Sequence, residues 1–118
     1  MEQKEKDLLV KDLCARLPYN PVLKCTLKGI KGYTNITCKL DVEHLDELLY
    51  DGEFFIDIKP YLRPMSSMTK EELAIFNNFS QDDPERFDYL NSIHVDYRML
   101  IPRGLAIAVT EENNPYKV

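Results

Sequence analysis

Seven tyrosine, arginine and serine residues are the side chains of this sequence best suited to binding. They lie in the runs KPYLRPMSSMT and DYRMLIPRG and are Tyr61, Arg63, Ser66, Ser67, Tyr97, Arg98 and Arg103. Tyr and Arg are enriched at the centres of tight protein interfaces. If the two segments meet in the fold, they form a Tyr/Arg patch. In the alternative interpretation, the rings pack into the core and the guanidinium groups bind backbone carbonyls or helix ends.

Catalytic patterns are not found. His94 lies two residues before Asp96, and Cys14, Cys25 or Ser66 would have to act as the nucleophile. A histidine and an aspartate at this spacing do not face each other predictably, so His94 is interpreted as a surface residue. The GxGxxG, Walker A, HExxH and GxSxG patterns are absent from the sequence. We therefore expect no enzymatic activity and no cofactor.

Periodicity predicts the elements that carry these residues. Helical spacing of apolar residues predicts helices at residues 4–17 and 41–52, one after Thr69, and one from Asp83 to near Val95. Alternating apolar and polar residues predict strands at residues 22–28, 33–40 and 53–59, and residues 105–110 are a candidate fourth strand. The first two strands read as a β-hairpin. The predicted fold class is α+β, with a small antiparallel or mixed sheet covered by three to four helices.

The connector between the third strand and the next helix carries sequence signals at both ends, namely prolines at its start and a capping box at its end. Pro60 cannot donate a ladder hydrogen bond, and Pro64 repeats this restriction, so the strand is predicted to end at Lys59. Thr69 and Glu72 have the spacing of a capping box, which predicts a helix start at this point.

Cys25 and Cys38 are predicted to face the core from the two strands of the hairpin. Three cysteines without CxxC spacing indicate a reducing compartment, so a disulfide is not expected. A metal site would need further ligands, and none lies at a suitable spacing. His44, in the first turn of the second predicted helix, is expected to be exposed.

Three segments resemble a family of small proteins encoded in phages and prophages of gut Bacteroides-type bacteria. They are KPYLRPMSSMTKEE, LLVKDLCARLPY and DYLNSIHVDYRMLIPRGLAIAV. The similarity covers both ends and the centre of the chain, and residues 20–53 and 77–86 fall outside it. The resemblance implies a phage or prophage setting, and it implies no activity, catalytic residue or ligand.

Length and charge narrow the functional classes. A chain of 118 residues is expected to form one domain, residues 1–118, with a frayed tail at residues 111–118. Its net charge of -5 opposes non-specific binding to nucleic acid. No apolar run is long enough for a membrane helix, and MEQKEKDLLV lacks the apolar centre of a signal peptide. These features predict a cytoplasmic protein.

Three functions are compatible with these patterns. The first is a non-enzymatic phage or prophage accessory protein that binds a host or phage protein. The second is a small-molecule or nucleotide binder that uses the Tyr/Arg patch. The third is an enzyme whose site carries no familiar motif and would need a buried titratable group. Neither the oligomeric state nor the edge strand of the sheet follows from the sequence.

Overall fold

The structure, a computed structural model, describes residues 2–29, 32–50 and 55–117. Within these ranges the chain forms a four-stranded mixed sheet and four α-helices, which confirms the predicted α+β class. In chain order the elements are α1 (Gln3–Arg16), β1 (Val22–Gly29), β2 (Gly32–Lys39), α2 (Val42–Leu49), β3 (Phe55–Leu62), α3 (Lys70–Asn78), α4 (Glu85–Ser92) and β4 (Ile107–Ala108). No helix in the described ranges is long and apolar enough to cross a membrane.

The sheet has the strand order β2-β1-β3-β4, so β2 is an edge strand. The predicted hairpin is confirmed, since β1 and β2 pair antiparallel over their full length. β3 pairs antiparallel with the other side of β1. The fourth strand is also confirmed, because β4 pairs in parallel with the end of β3. Residues that stand opposite each other share a face, so this register fixes which side chains look away from the core.

β3 continues through Pro60, and the prediction that it ends at Lys59 is wrong. Pro60 is in the last pair with β1, opposite Leu23, and the next two residues, Tyr61 and Leu62, pair with β4 instead. Pro60, which has no N–H to donate, is therefore located where β3 stops pairing with β1 and starts pairing with β4. A strand tolerates proline at such a position. The start predicted for this strand, at residues 53 and 54, lies outside the described residues.

Side-chain caps fix the starts of two helices. The predicted capping box of α3 is confirmed, because Glu72 N donates to Thr69 Oγ1 at 3.1 Å and Thr69 N donates to Glu72 Oε1 at 2.9 Å. α2 also begins with a capping box, in which His44 takes the N3 position that Glu or Gln usually occupies. Asp41 N donates to His44 Nδ1 at 3.0 Å. His44 is only 7% exposed, so the expectation that it lies on the surface is wrong. Gly52, the predicted end of this helix, lies outside the described residues.

α4 ends earlier than its apolar spacing suggested, at Ser92 instead of near Val95. His94 takes a left-handed conformation, with φ 62°, and Val95 N turns back to donate to Leu90 O at 3.0 Å. These contacts terminate the helix as a left-handed cap. His94 is partly buried and stacks on the Tyr116 ring at 3.8 Å, so it is not the freely exposed residue that the sequence suggested.

The core divides into two apolar clusters. The larger one fills the space between the sheet and the first two helices and includes Leu9, Leu13, Leu23 and Ile58. The smaller one lies under α3 and α4. The chain after β4 is tied to the sheet through Tyr116, whose hydroxyl donates to Tyr61 O at 2.7 Å. The expectation of a frayed tail did not foresee this contact.

Candidate functional site

The two segments that carry the Tyr/Arg residues do meet in space. Arg63 N donates to His94 O at 2.7 Å, and Asp96 N donates to Arg63 O at 2.9 Å. The Arg63 guanidinium, however, forms a two-pronged ion pair with Glu72, at 2.6 and 2.8 Å, and donates to Ser67 O at 3.0 Å. This pairing lowers the pKa of Glu72 to about 2. Arg63 therefore holds the connector onto the start of α3.

The neighbouring residues of the connector are only partly available to a ligand. Ser67 Oγ donates to Pro64 O at 2.6 Å, and Ser66 is exposed. Tyr61 is half-buried, and its carbonyl accepts the Tyr116 hydroxyl. The connector thus presents exposed hydroxyls beside a guanidinium that is already bound.

The second segment surrounds a buried ion pair. Arg16 and Asp12 are both fully buried, with Arg16 Nε 2.7 Å from Asp12 Oδ2. Arg98 donates to the other oxygen of the same carboxylate at 2.9 Å. The Tyr97 ring lies beside the guanidinium groups of Arg98, at 4.7 Å, and Arg16, at 5.4 Å. Of the three predicted residues here, Arg103 is the exposed one.

Both guanidinium groups near the meeting point, those of Arg63 and Arg98, are bound to carboxylates of the chain itself. This is the arrangement expected when these residues maintain the fold. A ligand role for the seven residues stays a prediction. A groove of about 610 Å³ beside Arg63 and Ser67 is lined on its other side by residues of the tail, including Lys117 and Glu111.

A different surface stands out on the sheet, on the side away from the core. Lys24 is directly opposite Thr37 on β2 and Lys59 on β3, so these residues share one face. By alternation, the same face includes Lys24, Thr26, Lys28, Tyr33, Asn35, Thr37, Lys39, Asp57, Lys59 and Tyr61. We call this surface the lysine face. It has four lysines and one aspartate, a net charge of +3, on a chain whose total is -5.

The opposite face of the hairpin carries a cluster of two thiols and an imidazole, Cys25, Cys38 and His44. The two sulfurs are 3.7 Å apart, and His44 Nε2 is 3.3 Å from Cys38 Sγ. The prediction that both cysteines face the core side is confirmed. Burial, together with the hydrogen bond and the charge of Cys38, raises the pKa of Cys25 to about 12.

These three residue types and their spacing resemble part of a metal site, since all three ligand atoms lie within 4.8 Å of one another. The hydrogen bonding opposes that use. Because Nδ1 of His44 accepts from Asp41 N, the single proton of the neutral ring is on Nε2, the nitrogen that faces Cys38. A metal needs a lone pair on that nitrogen, so ligation would require breaking the helix cap. The arrangement fits a hydrogen bond from Nε2 to sulfur.

Sequence reasoning missed His44 and did not recognise the lysine face. The signal for His44 was its place three residues after the capping Asp41, where a side chain can reach back to the cap. The signal for the lysine face was the alternation of lysine with apolar residues in each predicted strand, combined with the strand order, which only the structure supplies.

Comparison with known proteins adds nothing to these assignments. No family model matches this chain, and neither the curated proteins nor the solved structures contain a match. The resemblance to phage-encoded proteins stays a prediction.

Proposed function

We propose that this chain is a non-enzymatic binding protein that holds an acidic, extended segment of a partner protein along β2 and the lysine face. The observation that carries the proposal is the combination of a free edge strand with a positive face on an acidic chain. The resemblance to phage-encoded proteins would make the partner a host or phage protein. The free thiols of Cys14, Cys25 and Cys38 support a cytoplasmic location.

The edge of β2 offers a row of backbone groups to an incoming strand. In the described part of the chain, β2 pairs with β1 alone. Its residues Gly32–Asn35 are all exposed, and Tyr33 is 73% exposed. An extended peptide that adds to such an edge gains main-chain hydrogen bonds, and its alternate side chains face the two sides of the sheet.

The charges of the lysine face support an acidic partner. Lys24 and Lys59 are directly opposite each other in the register, and like charges in this position destabilise a sheet. Within the face, Asp57 compensates weakly, since its carboxylate is 3.7 Å from Lys59 Nζ. Strands are about 4.8 Å apart, so a strand added to β2 would place its carboxylates near Lys39 and about 10 Å from the lysines of β1, which would attract them at longer range. Binding is therefore expected to weaken as salt increases.

A protein segment fits these features better than nucleic acid. A nucleic acid has no peptide groups that continue the hydrogen-bond ladder at the β2 edge. An acidic peptide uses both the edge and the lysines. The proposal therefore predicts alternating acidic residues in the bound segment.

Selection from a displayed library of random peptides tests this proposal. We expect the selected peptides to carry Asp or Glu at alternating positions, and alternate amides of β2 to become protected from hydrogen exchange when such a peptide binds. The double variant Lys24→Glu, Lys39→Glu should weaken the affinity by at least about tenfold, because it reverses two charges on the docking face. The matched control Lys4→Glu, Lys11→Glu makes the same charge change at exposed positions of α1.

Three results would contradict the proposal. They are selected peptides without an acidic preference, equal loss of affinity in the two double variants, and preferential binding of a single-stranded oligonucleotide to the lysine face. The last result would assign the face to nucleic acid.

The groove beside Arg63 supports a second candidate, an anionic small molecule such as a nucleotide. Its volume of about 610 Å³ is in the range of ligand pockets, and its lining includes Lys117 and the Arg63 guanidinium, which is already paired with Glu72. A thermal-shift screen with nucleotides tests this candidate, because a ligand that binds only the folded state raises the melting temperature. A shift that persists in Lys117→Glu would place the ligand elsewhere.

A further inference from the structure

Two hydrogen bonds lead from the Asp41 backbone through His44 to the sulfur of Cys38. Asp41 N donates to His44 Nδ1, so the ring proton is on Nε2 and points to Cys38 Sγ. The two sulfurs are also in hydrogen-bond contact at 3.7 Å, and either thiol can donate. The Cys38 sulfur therefore accepts the hydrogen bond of the imidazole and contacts the Cys25 sulfur.

This arrangement gives the two sulfurs different properties. Cys25 is fully buried, whereas Cys38 is partly exposed on the edge strand. Cys38 is therefore the residue of the pair that has contact with solvent, and it is also the one that receives the imidazole donor.

We propose that Cys25 and Cys38 form an oxidation site for hydroperoxides, in which Cys38 reacts first and Cys25 resolves the product. The inference is independent of the proposed peptide binding. The two residues are diagonal neighbours in the hairpin, since Cys25 is opposite Ile36 and Cys38 is opposite Leu23, and their sulfurs, 3.7 Å apart, must approach by about 1.7 Å to bond.

The chemistry proceeds in two balanced steps. The Cys38 thiolate attacks one peroxide oxygen, so that an S–O bond forms and the O–O bond breaks. The sulfur is oxidised to a sulfenic acid, and the peroxide is reduced to an alcohol that takes up the thiol proton. The Cys25 thiol then attacks the sulfenic sulfur, the S–O bond breaks, and the hydroxyl leaves as water with the Cys25 proton.

Cys14 provides an internal control because it is an exposed thiol of the same chain. The experiment treats the full chain with hydrogen peroxide and follows each cysteine by peptide mass spectrometry. We expect Cys38 to react at least about tenfold faster than Cys14. The product should be a Cys25–Cys38 disulfide, and Cys25→Ser should leave a sulfenic acid on Cys38 that dimedone traps.

Substitutions of His44 test the imidazole donor. His44→Ala should slow the reaction of Cys38 towards that of Cys14, and His44→Gln, which keeps a donor and a helix cap, should restore part of the rate. Circular dichroism of each variant before oxidation shows that it is folded.

Two outcomes would overturn the proposal. The first is oxidation of Cys38 and Cys14 at the same rate. The second is stoichiometric retention of Zn²⁺ that is lost in Cys38→Ser, because the sulfurs would then be metal ligands.

Discussion

Replacing Asp12 with alanine is expected to be the most destabilising polar substitution considered in this chain. Asp12 is fully buried and accepts two hydrogen bonds from the equally buried Arg16, at 2.7 and 3.1 Å. Without the carboxylate, the Arg16 guanidinium still donates to Val95 O at 2.8 Å, but its charge stays in the core without a carboxylate beside it. Removing one partner of a buried ion pair costs about 3–5 kcal/mol, a large part of the stability of a small domain.

Urea unfolding of Asp12→Ala, followed by circular dichroism, measures this cost as a change in the free energy of unfolding. Asp7→Ala is the matched control, since Asp7 lies on an exposed part of α1 and accepts a hydrogen bond from Gln3. It should change stability by less than about 0.5 kcal/mol.

A double variant separates the loss of charge compensation from the loss of packing. Asp12→Leu with Arg16→Met removes the two fully buried charges, and the remaining Arg98 guanidinium is partly exposed and can bind water, so this variant should be much closer to the wild type than Asp12→Ala is. A loss below about 1 kcal/mol in Asp12→Ala, or a double variant as unstable as the single one, would refute the argument that an unpaired buried charge dominates.

Three further predictions concern pH and the tail. Burial lowers the pKa of His94 from 6.5 to about 4, so the unfolded chain binds more protons between these values and stability falls as pH drops through this window. Asparagine tolerates a φ of 62°, so His94→Asn should keep the backbone conformation. In this variant, the urea midpoint should no longer fall between pH 6.5 and pH 4. The hydrogen bonds from Arg63 lower the pKa of Glu72 to about 2. The stability that the ionised Glu72 contributes is therefore present above pH 4.5 and is lost as the pH falls towards 2. In Glu72→Gln, the urea midpoint should change less with pH in this range. Tyr116→Phe removes a hydroxyl that also accepts from Val22 N at 2.9 Å, and should cost about 1–2 kcal/mol in urea unfolding. An unchanged midpoint would show that these two hydrogen bonds contribute no stability.

Local signals in the sequence predicted much of the fold. The capping box at Thr69 and Glu72 and the alternation in the hairpin depend on neighbours a few residues apart, and both are confirmed. The path of β3 through Pro60 depends on two different partners, β1 and β4, that are distant in the chain. Propensity at Pro60 alone therefore gave the wrong end for the strand.

The candidate sites were harder to predict because they are made of long-range contacts. The sequence around Arg63 does not show that its guanidinium pairs with Glu72, which lies only nine residues further along the chain. The thiol cluster needs the hairpin register to bring Cys25 to Cys38, and it needs the cap at Asp41 to turn His44 inward. The sequence did predict that both cysteines lie on the core side of the hairpin, whereas it did not predict that His44 joins them.

The two kinds of basic residue have different places in this molecule, and this difference supports the proposed function. Arg16, Arg63 and Arg98 bind carboxylates of the chain, where a planar group with several donors can form two hydrogen bonds at once. The lysines at positions 24, 28 and 39 are instead exposed on one face of the sheet. Lysine is a strongly hydrated point charge, so such a face attracts an acidic segment without fixing its geometry. The register of that segment would have to come from the backbone groups of the β2 edge, which is why charge and edge are needed together.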